Sequence, residues 1–318
     1  YQGAAMQDMN FKLPRREFLS LQLKGGLCLL GGMGLMQLPR RVHAQEHPDL
    51  VEAQGGPEQA TRAAVQALGG MSRFVQKGQK VVIKPNMSFD QPPEMATTTH
   101  PQVVQALAKM CRDAGASRVS VLDNPLRSSE LCLVESGIQE AAEMVDGCRV
   151  QGVQGKGDFQ ETKIPEGRQL SSRQVMREVN QADVLISAPV AKHHSSTGVS
   201  LSLKGMMGLI RDRSEMHWRY DLHESIVDLC TLLKADLVVV DATRALTTDG
   251  PSGPGDVVQP EKVIASTDMV AADAYTVTLV KWYGRSMDPG QVKHIRLAQE
   301  RGLGSMDLDS LQIKQLKA

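Results

Sequence analysis

Four short apolar runs, each closed by a polar residue or a proline, constrain this chain more than any other feature. Val81 to Lys84 stops at Pro85 and Asn86, Arg118 to Leu122 stops at Asp123, Asp183 to Val190 contains Pro189 and leads to Lys192, and Leu237 to Val240 stops at Asp241. Runs of this length bounded by turn residues read as strands buried on both faces. Helical patterns separate them. Alternation of this kind predicts an α/β fold with a mainly parallel sheet and helices on both faces, three layers in all. The polar residues that end the strands then share the carboxyl edge, where open α/β sheets place their ligands.

The first 44 residues do not belong to that pattern. Arg15 and Arg16 precede Phe18 and Leu19, a Gly-rich, weakly apolar run follows from Leu21 to Leu38, and Val42-His43-Ala44 supplies small-residue cleavage chemistry. This arrangement reads as a twin-arginine export signal, which makes the export machinery a partner and the periplasm the expected location. Lys24 interrupts the apolar run, so a stable membrane span is not expected. Residues 45–56 are polar and read as a flexible arm, and 57–318 as a single α/β domain with a small irregular insertion at 126–170. Removal of 1–44 leaves 30 Lys and Arg against 34 Asp and Glu. With aromatic content of 3%, neither a basic surface nor a stacking platform for nucleic acid is present.

Cys111 and Cys230 sit at apolar helical positions and read as core. Cys132 and Cys148 are available for a disulfide in an oxidising compartment. No C-x-x-C occurs, so no iron–sulfur cluster is expected. Helices are expected from Pro57 to Leu68, from Pro101 to about Ala114 with Thr99 or His100 as cap, from Ser171 to Val179, from Leu222 to Leu233 behind an Asp221 cap, and over 289–302. The end, around Ile313, reads as an edge strand.

The segment Ala191 to Ile210 carries the chemistry. Lys192, His193, His194 and Lys204 stand among small residues directly after an apolar strand, and the loop's Thr197 and Gly198 suit the holding of an anion. Thr99, last of three threonines before a helix start, suits the same task. With Lys84, Asn86 and Asp123 at other strand ends, these residues point to a small anionic ligand. Successive side chains on an extended chain face opposite ways, so one histidine of the 193–194 pair is expected to face the site. His100, His223 and His294 read as caps or surface groups.

In order and spacing these residues resemble an uncharacterised family, domain of unknown function number 362. The matching positions are Ile83 to Asn86, Thr99 to Pro101, Asp123, Lys192 to His194, Thr197 to Val199, Leu203 to Gly205, Met207-Gly208, His217, Asp241, Gly250-Pro251 with Gly253, and Asp268 to Asp273. Its K-x-H pattern favours His194 over His193, and its GP-x-G loop adds Gly250 to the ligand-binding set. The family offers no settled reaction, and the residues themselves make Lys192, His194, Lys204 and Asp241 the candidate catalytic positions. His194, His217 and Asp241 are the expected ligands should a divalent transition metal bind, since imidazole with carboxylate suits such ions. Where the family has Asn after its second Lys, this chain has Gly205, and the ferredoxin-like cysteines of many relatives are missing. Two functions follow. One is an exported protein whose pocket binds an anionic ligand and a metal, with catalysis at the lysines and histidines. The other is a non-catalytic periplasmic accessory or interaction protein that delivers a metal or serves an electron-transfer partner.

Overall fold

The computed structural model describes residues 47–318, so the expected leader over 1–44 lies outside the described residues. In chain order the elements are β1 (Leu50–Gln54), α1 (Pro57–Ala67), β2 (Lys80–Pro85), α2 (Pro101–Asp113), β3 (Arg118–Asp123), α3 (Ser129–Glu135), α4 (Ile138–Glu143) and β4 (Cys148–Gly152). A hairpin of β5 (Phe159–Lys163) and β6 (Ser172–Met176) follows, then α5 (Arg177–Gln181), β7 (Val184–Ala188), β8 (Val190–His194) and β9 (Gly198–Ser200). The remainder is α6 (Ser202–Gly205), α7 (Glu215–Trp218), α8 (Leu222–Leu232), β10 (Leu237–Leu246), β11 (Val257–Val258), β12 (Lys262–Ser266), α9 (Met269–Leu279), α10 (Lys293–Glu300) and β13 (Ile313–Lys317).

Local chemistry sets the helix starts. His100 Nδ1 accepts the Gln102 amide ahead of α2, with Pro101 in the first turn. Asp221 accepts the amides of His223 and Glu224 at α8, and Asp268 those of Val270 and Ala271 at α9. Gly115, at φ +96°, takes the left-handed conformation that ends α2.

The main sheet runs in the order β13-β1-β12-β10-β7-β2-β3-β4. Strands β10, β7, β2, β3 and β4 are parallel neighbours, with Ile83 opposite both Ile186 and Val121, and β12 alone on this path runs against the rest. Side chains alternate across the sheet. Val81, Ile83, Val119 and Val121 pack against Ala64, Val104 and Leu107 of α1 and α2. Val82, Leu185, Val238 and Val240 pack against Ile226 of α8, Val270 of α9 and Ile295 of α10 on the other face. The three-layer α/β fold is therefore present, with a core on each side of the sheet.

Several local expectations are corrected. The arm expected over 45–56 contains β1, an interior strand between β12 and β13, in which Leu50, Val51 and Ala53 are fully buried. Its five residues are too few to stand out among polar flanks, and buried Glu52 answers Lys262 and the Tyr275 hydroxyl. The helix expected from Ser171 to Val179 is β6 followed by α5. Val175, Met176 and Val179 have helical spacing, but pairing with β5 prevails, Phe159 standing opposite Met176. Within the expected insertion, α3, α4 and β4 continue the sheet's own repeat, and the part outside the main sheet is the β5–β6 hairpin. Cys132 and Cys148 are free thiols, and Cys111 and Cys230 are buried. Among the described residues no helix is long and apolar enough to cross a membrane.

Candidate functional site

The expected loop after Pro189 is a second strand. Proline ends β7, its carbonyl accepts the Asp241 amide, and the chain resumes as β8 alongside β10. β2 stops at Pro85, whereas β8 runs on beside β10 and folds back as a hairpin with β9, Lys192 opposite Ser200. The step leaves a cavity of roughly 480 Å³ above the carboxyl ends of β2 and β3. Lys84, Asn86, Asp123, Lys192, His194, Lys204 and His217 all line it.

Lys192, 1% exposed, donates to the Thr97 carbonyl at 2.6 Å and to Asn86 Oδ1 and the Pro251 carbonyl at 3.2 Å each. Its ammonium stands 4.6 Å from the centroid of the Phe89 ring. Burial, and then the Lys204 charge, hold its pKa well below the ordinary lysine value. Lys84 pairs with Asp123 at 3.2 Å and also donates to the Pro85 carbonyl. Asp123 accepts the amides of Met87 and Asn124 at 2.9 Å and the Ser88 hydroxyl at 3.0 Å. This pair runs over Gly208, where a Cβ would come within 2.2 Å of Asp123 Oδ1. A side chain at 208 would displace the pair.

Lys204 differs from the other two lysines. It is carried on α6, whose first amides at Ser202 and Leu203 are accepted by the buried Asp273 carboxylate at 2.8 and 2.9 Å. The closing Asp of the sequence motif therefore positions the lysine. Lys204 Nζ has no hydrogen-bond partner among the described residues, and burial, then Arg213 and Lys84, bring its pKa down to about 7.

His194 Nδ1 accepts the Ser196 amide at 3.1 Å, so the proton of the neutral ring sits on Nε2. Burial first, then Lys204 and Lys192, push its pKa down to about 2. At neutral pH it is a hydrogen-bond donor toward the cavity. His193 points away, its ring edge-on to Tyr283 at 4.8 Å between centroids. His217 is also shifted down, by burial and then by Lys204 and Arg213.

The other expected site residues lie outside the lining. Asp241 is saturated: its carboxylate accepts the Thr243 amide and hydroxyl, the His100 amide at 2.8 Å and Arg244 at 2.6 Å. Thr99 Oγ1 accepts the Asn86 amide and donates to the Ala188 carbonyl, which fixes the turn after β2. Thr197 closes the β8–β9 turn and Gly198, at φ +78°, opens β9. Gly250 packs where a Cβ would meet the His193 carbonyl at 2.0 Å, and its neighbour Pro251 is the residue that lines the cavity. His294 is buried, not on the surface, and stacks with His223.

The metal expectation fails on chemistry. Among the described residues no three His, Cys, Asp or Glu side chains are grouped to hold an ion. The Nδ1 lone pair of His194 is already engaged and Asp241 is spent on Arg244. The lysines and Arg213 around the cavity would also repel a divalent cation.

Sequence reasoning missed Arg213, Ser88, Phe89, Ser200 and Trp218 in the lining. Arg213 donates to the Asn124 carbonyl at 2.7 Å, yet it sits in a charged run that reads as solvated surface. Trp218 is 72% exposed at the rim. Asn86, by contrast, was visible because it follows the strand-ending proline.

A thylakoid-associated protein of Synechocystis sp. is 24% identical over 250 residues, covering 76% of this chain and 74% of the relative. The lactate racemase apoprotein of Thermoanaerobacterium thermosaccharolyticum is similar in structure with a TM-score of 0.46 and 12% identity, over 74% of this chain and 58% of that one. The chain thus spans under two thirds of the racemase. The family model described as Domain of unknown function (DUF362) matches residues 81–278, most of the segment that carries the parallel strands and the whole cavity, and this chain belongs to that family.

Proposed function

We propose that this protein is exported through the twin-arginine machinery to the periplasm and there binds a small anionic ligand in the cavity above β2, β3 and β8. One observation carries the binding: Lys84, Lys192, Lys204 and Arg213 surround a space whose lining, among the described residues, holds a single carboxylate, Asp123. Lys84 and Lys192 are buried and Lys204 and Arg213 half-buried, and desolvating cations beyond the number of their counterions is costly. An anion restores the balance and gives the unpartnered Lys204 an acceptor. Nε2 of His194 and the Asn86 amide supply directional polar contacts. The export half rests on Arg15, Arg16 and the run that follows them.

Thermal unfolding of the purified full chain in sulfate, phosphate or malate, against chloride at equal ionic strength, tests the binding. At a hundredfold excess over Kd the expected stabilisation is about 2.7 kcal/mol, or roughly 5–10 °C for a domain of this size. K192M should reduce that increment severely. Equal behaviour in all four salts overturns the reading. Replacing Arg15 and Arg16 by Lys should retain the precursor in the cytoplasm, and continued export overturns that half.

A further inference from the structure

We propose that Lys204 is a nucleophile toward the carbonyl carbon of a small 2-oxo acid, forming an imine while neighbouring cations hold the acid's carboxylate. The inference rests on the anion-binding reading and names the ligand class within it. Three lysines meet at the cavity and their roles are divided by their partners. Lys192 has three acceptors and a ring face, and Lys84 has Asp123 and a carbonyl. Both amines are committed to the protein. Lys204 Nζ has none of these and faces the cavity. An amine flanked by other cations in a desolvated pocket keeps a free lone pair at neutral pH, which is the condition for attack on a carbonyl. Its pKa of about 7 agrees.

Space for the reaction lies beside it. At Gly205, also in the lining, a Cβ would meet nothing within 4 Å. The chain next to the amine therefore leaves open volume in the cavity wall. Arg213 and Lys84 line the same cavity as Lys204, so a carboxylate bound beside its amine is met by cations. In the reaction the nitrogen lone pair forms a bond to the carbonyl carbon and the C=O π pair moves to oxygen. An amine proton passes to that oxygen, giving a carbinolamine. Protonation of the hydroxyl by water and loss of H₂O leave a protonated imine, so amine, ketone and one proton become iminium and water. No oxidant, reductant or metal enters.

The test treats the mature protein with pyruvate, glyoxylate or 2-oxoglutarate in the presence of sodium cyanoborohydride, followed by peptide mapping. Lactate and sulfate binding are measured in parallel by thermal shift. The expected result with pyruvate is a single adduct, the mass of pyruvic acid less one oxygen, on the peptide containing Lys204. It should be lost in K204R and diminished in G205N. Adduct on Lys84 or Lys192 instead, or adduct from none of the three acids while lactate or sulfate still stabilises, overturns the imine and leaves anion binding standing. Failure of every anion to stabilise overturns both.

Discussion

Asp123→Asn removes the one negative charge that the described residues place in the cavity lining, while barely changing shape. The native carboxylate is fully buried and answers four donors, the Met87 and Asn124 amides, the Ser88 hydroxyl and Lys84. Each oxygen serves two of them. An asparagine keeps one oxygen and presents an NH₂ where the other stood, so it opposes either the Asn124 amide and Lys84 or the Met87 amide, the Ser88 hydroxyl being able to turn and accept. Lys84 is also left as an unpaired buried ammonium. Breaking a buried ion pair from one side costs about 3–5 kcal/mol, which for a domain of this size lowers Tm by roughly 6–20 °C. Most of that penalty belongs to the stranded Lys84, so K84M/D123N should be more stable than D123N alone. The assay is guanidinium unfolding of wild type, D123N, K84M and the double variant, with midpoint and slope fitted together. Saturating sulfate should stabilise D123N by more than wild type, because the anion replaces the lost charge. A D123N loss under about 1 kcal/mol, or a double variant no more stable than D123N, would refute the account of the pair as the counterweight to the buried cations.

Other consequences follow from named groups. Lys204 loses its charge as pH rises through about 7, so sulfate, whose own charge is constant there, should bind more weakly above that pH, and K204M should flatten the dependence in isothermal titration. Its folded pKa lies below the unfolded value of 10.5, so between these limits the unfolded chain holds the extra proton and this lysine makes stability increase with pH. His294 is buried with neither ring nitrogen bonded among the described residues, and burial followed by the His223 charge pushes its pKa down to about 3. Below pH 6.5 the unfolded ring takes a proton that the folded one refuses. Stability therefore falls on acidification, and H294L should reduce the slope by about 1.4 kcal/mol per pH unit between those values; parallel denaturation profiles would contradict this. Asp228 accepts the amides of Arg168, Gln169 and Leu170 and pairs with Arg301, none of them in the cavity lining. D228A should lower stability by about 3–5 kcal/mol without changing sulfate affinity in the residual folded protein.

Strands β2, β3, β7 and β10 were legible because each centres on a largely apolar run, whereas β4, Cys-Arg-Val-Gln-Gly, carries no such run. Pro85, Asp123 and Pro189 mark where three strands end to within a residue or two. β1 was not legible, since five residues between polar flanks carry no period and its place in the sheet is set by partners more than two hundred residues away, Lys262 to Ser266 and Ile313 to Lys317. β6 was misread for a related reason: a helical spacing of Val175 and Val179 is a local signal, and cross-strand pairing with β5 is not.

Asp241 shows where strand-end reasoning reaches its limit. It follows an apolar run as Asp123 does, but β10 continues for five residues beyond it. A carboxylate in mid-strand has neighbours on both sides and here meets Arg244 and the start of α2, so it braces the fold. Asp123 is the last residue of its strand, and its side chain faces the space that opens where β2 and β3 stop and β8 goes on. The difference between a structural and a cavity-lining aspartate therefore lies in how far the strand continues after it. That length depends on whether the next residues find a partner, as those after Asp241 do in β8, β11 and β12. The same extension lifts Lys192 over Asn86 and encloses the cations, so the charge of the cavity and the uneven strand ends have one origin.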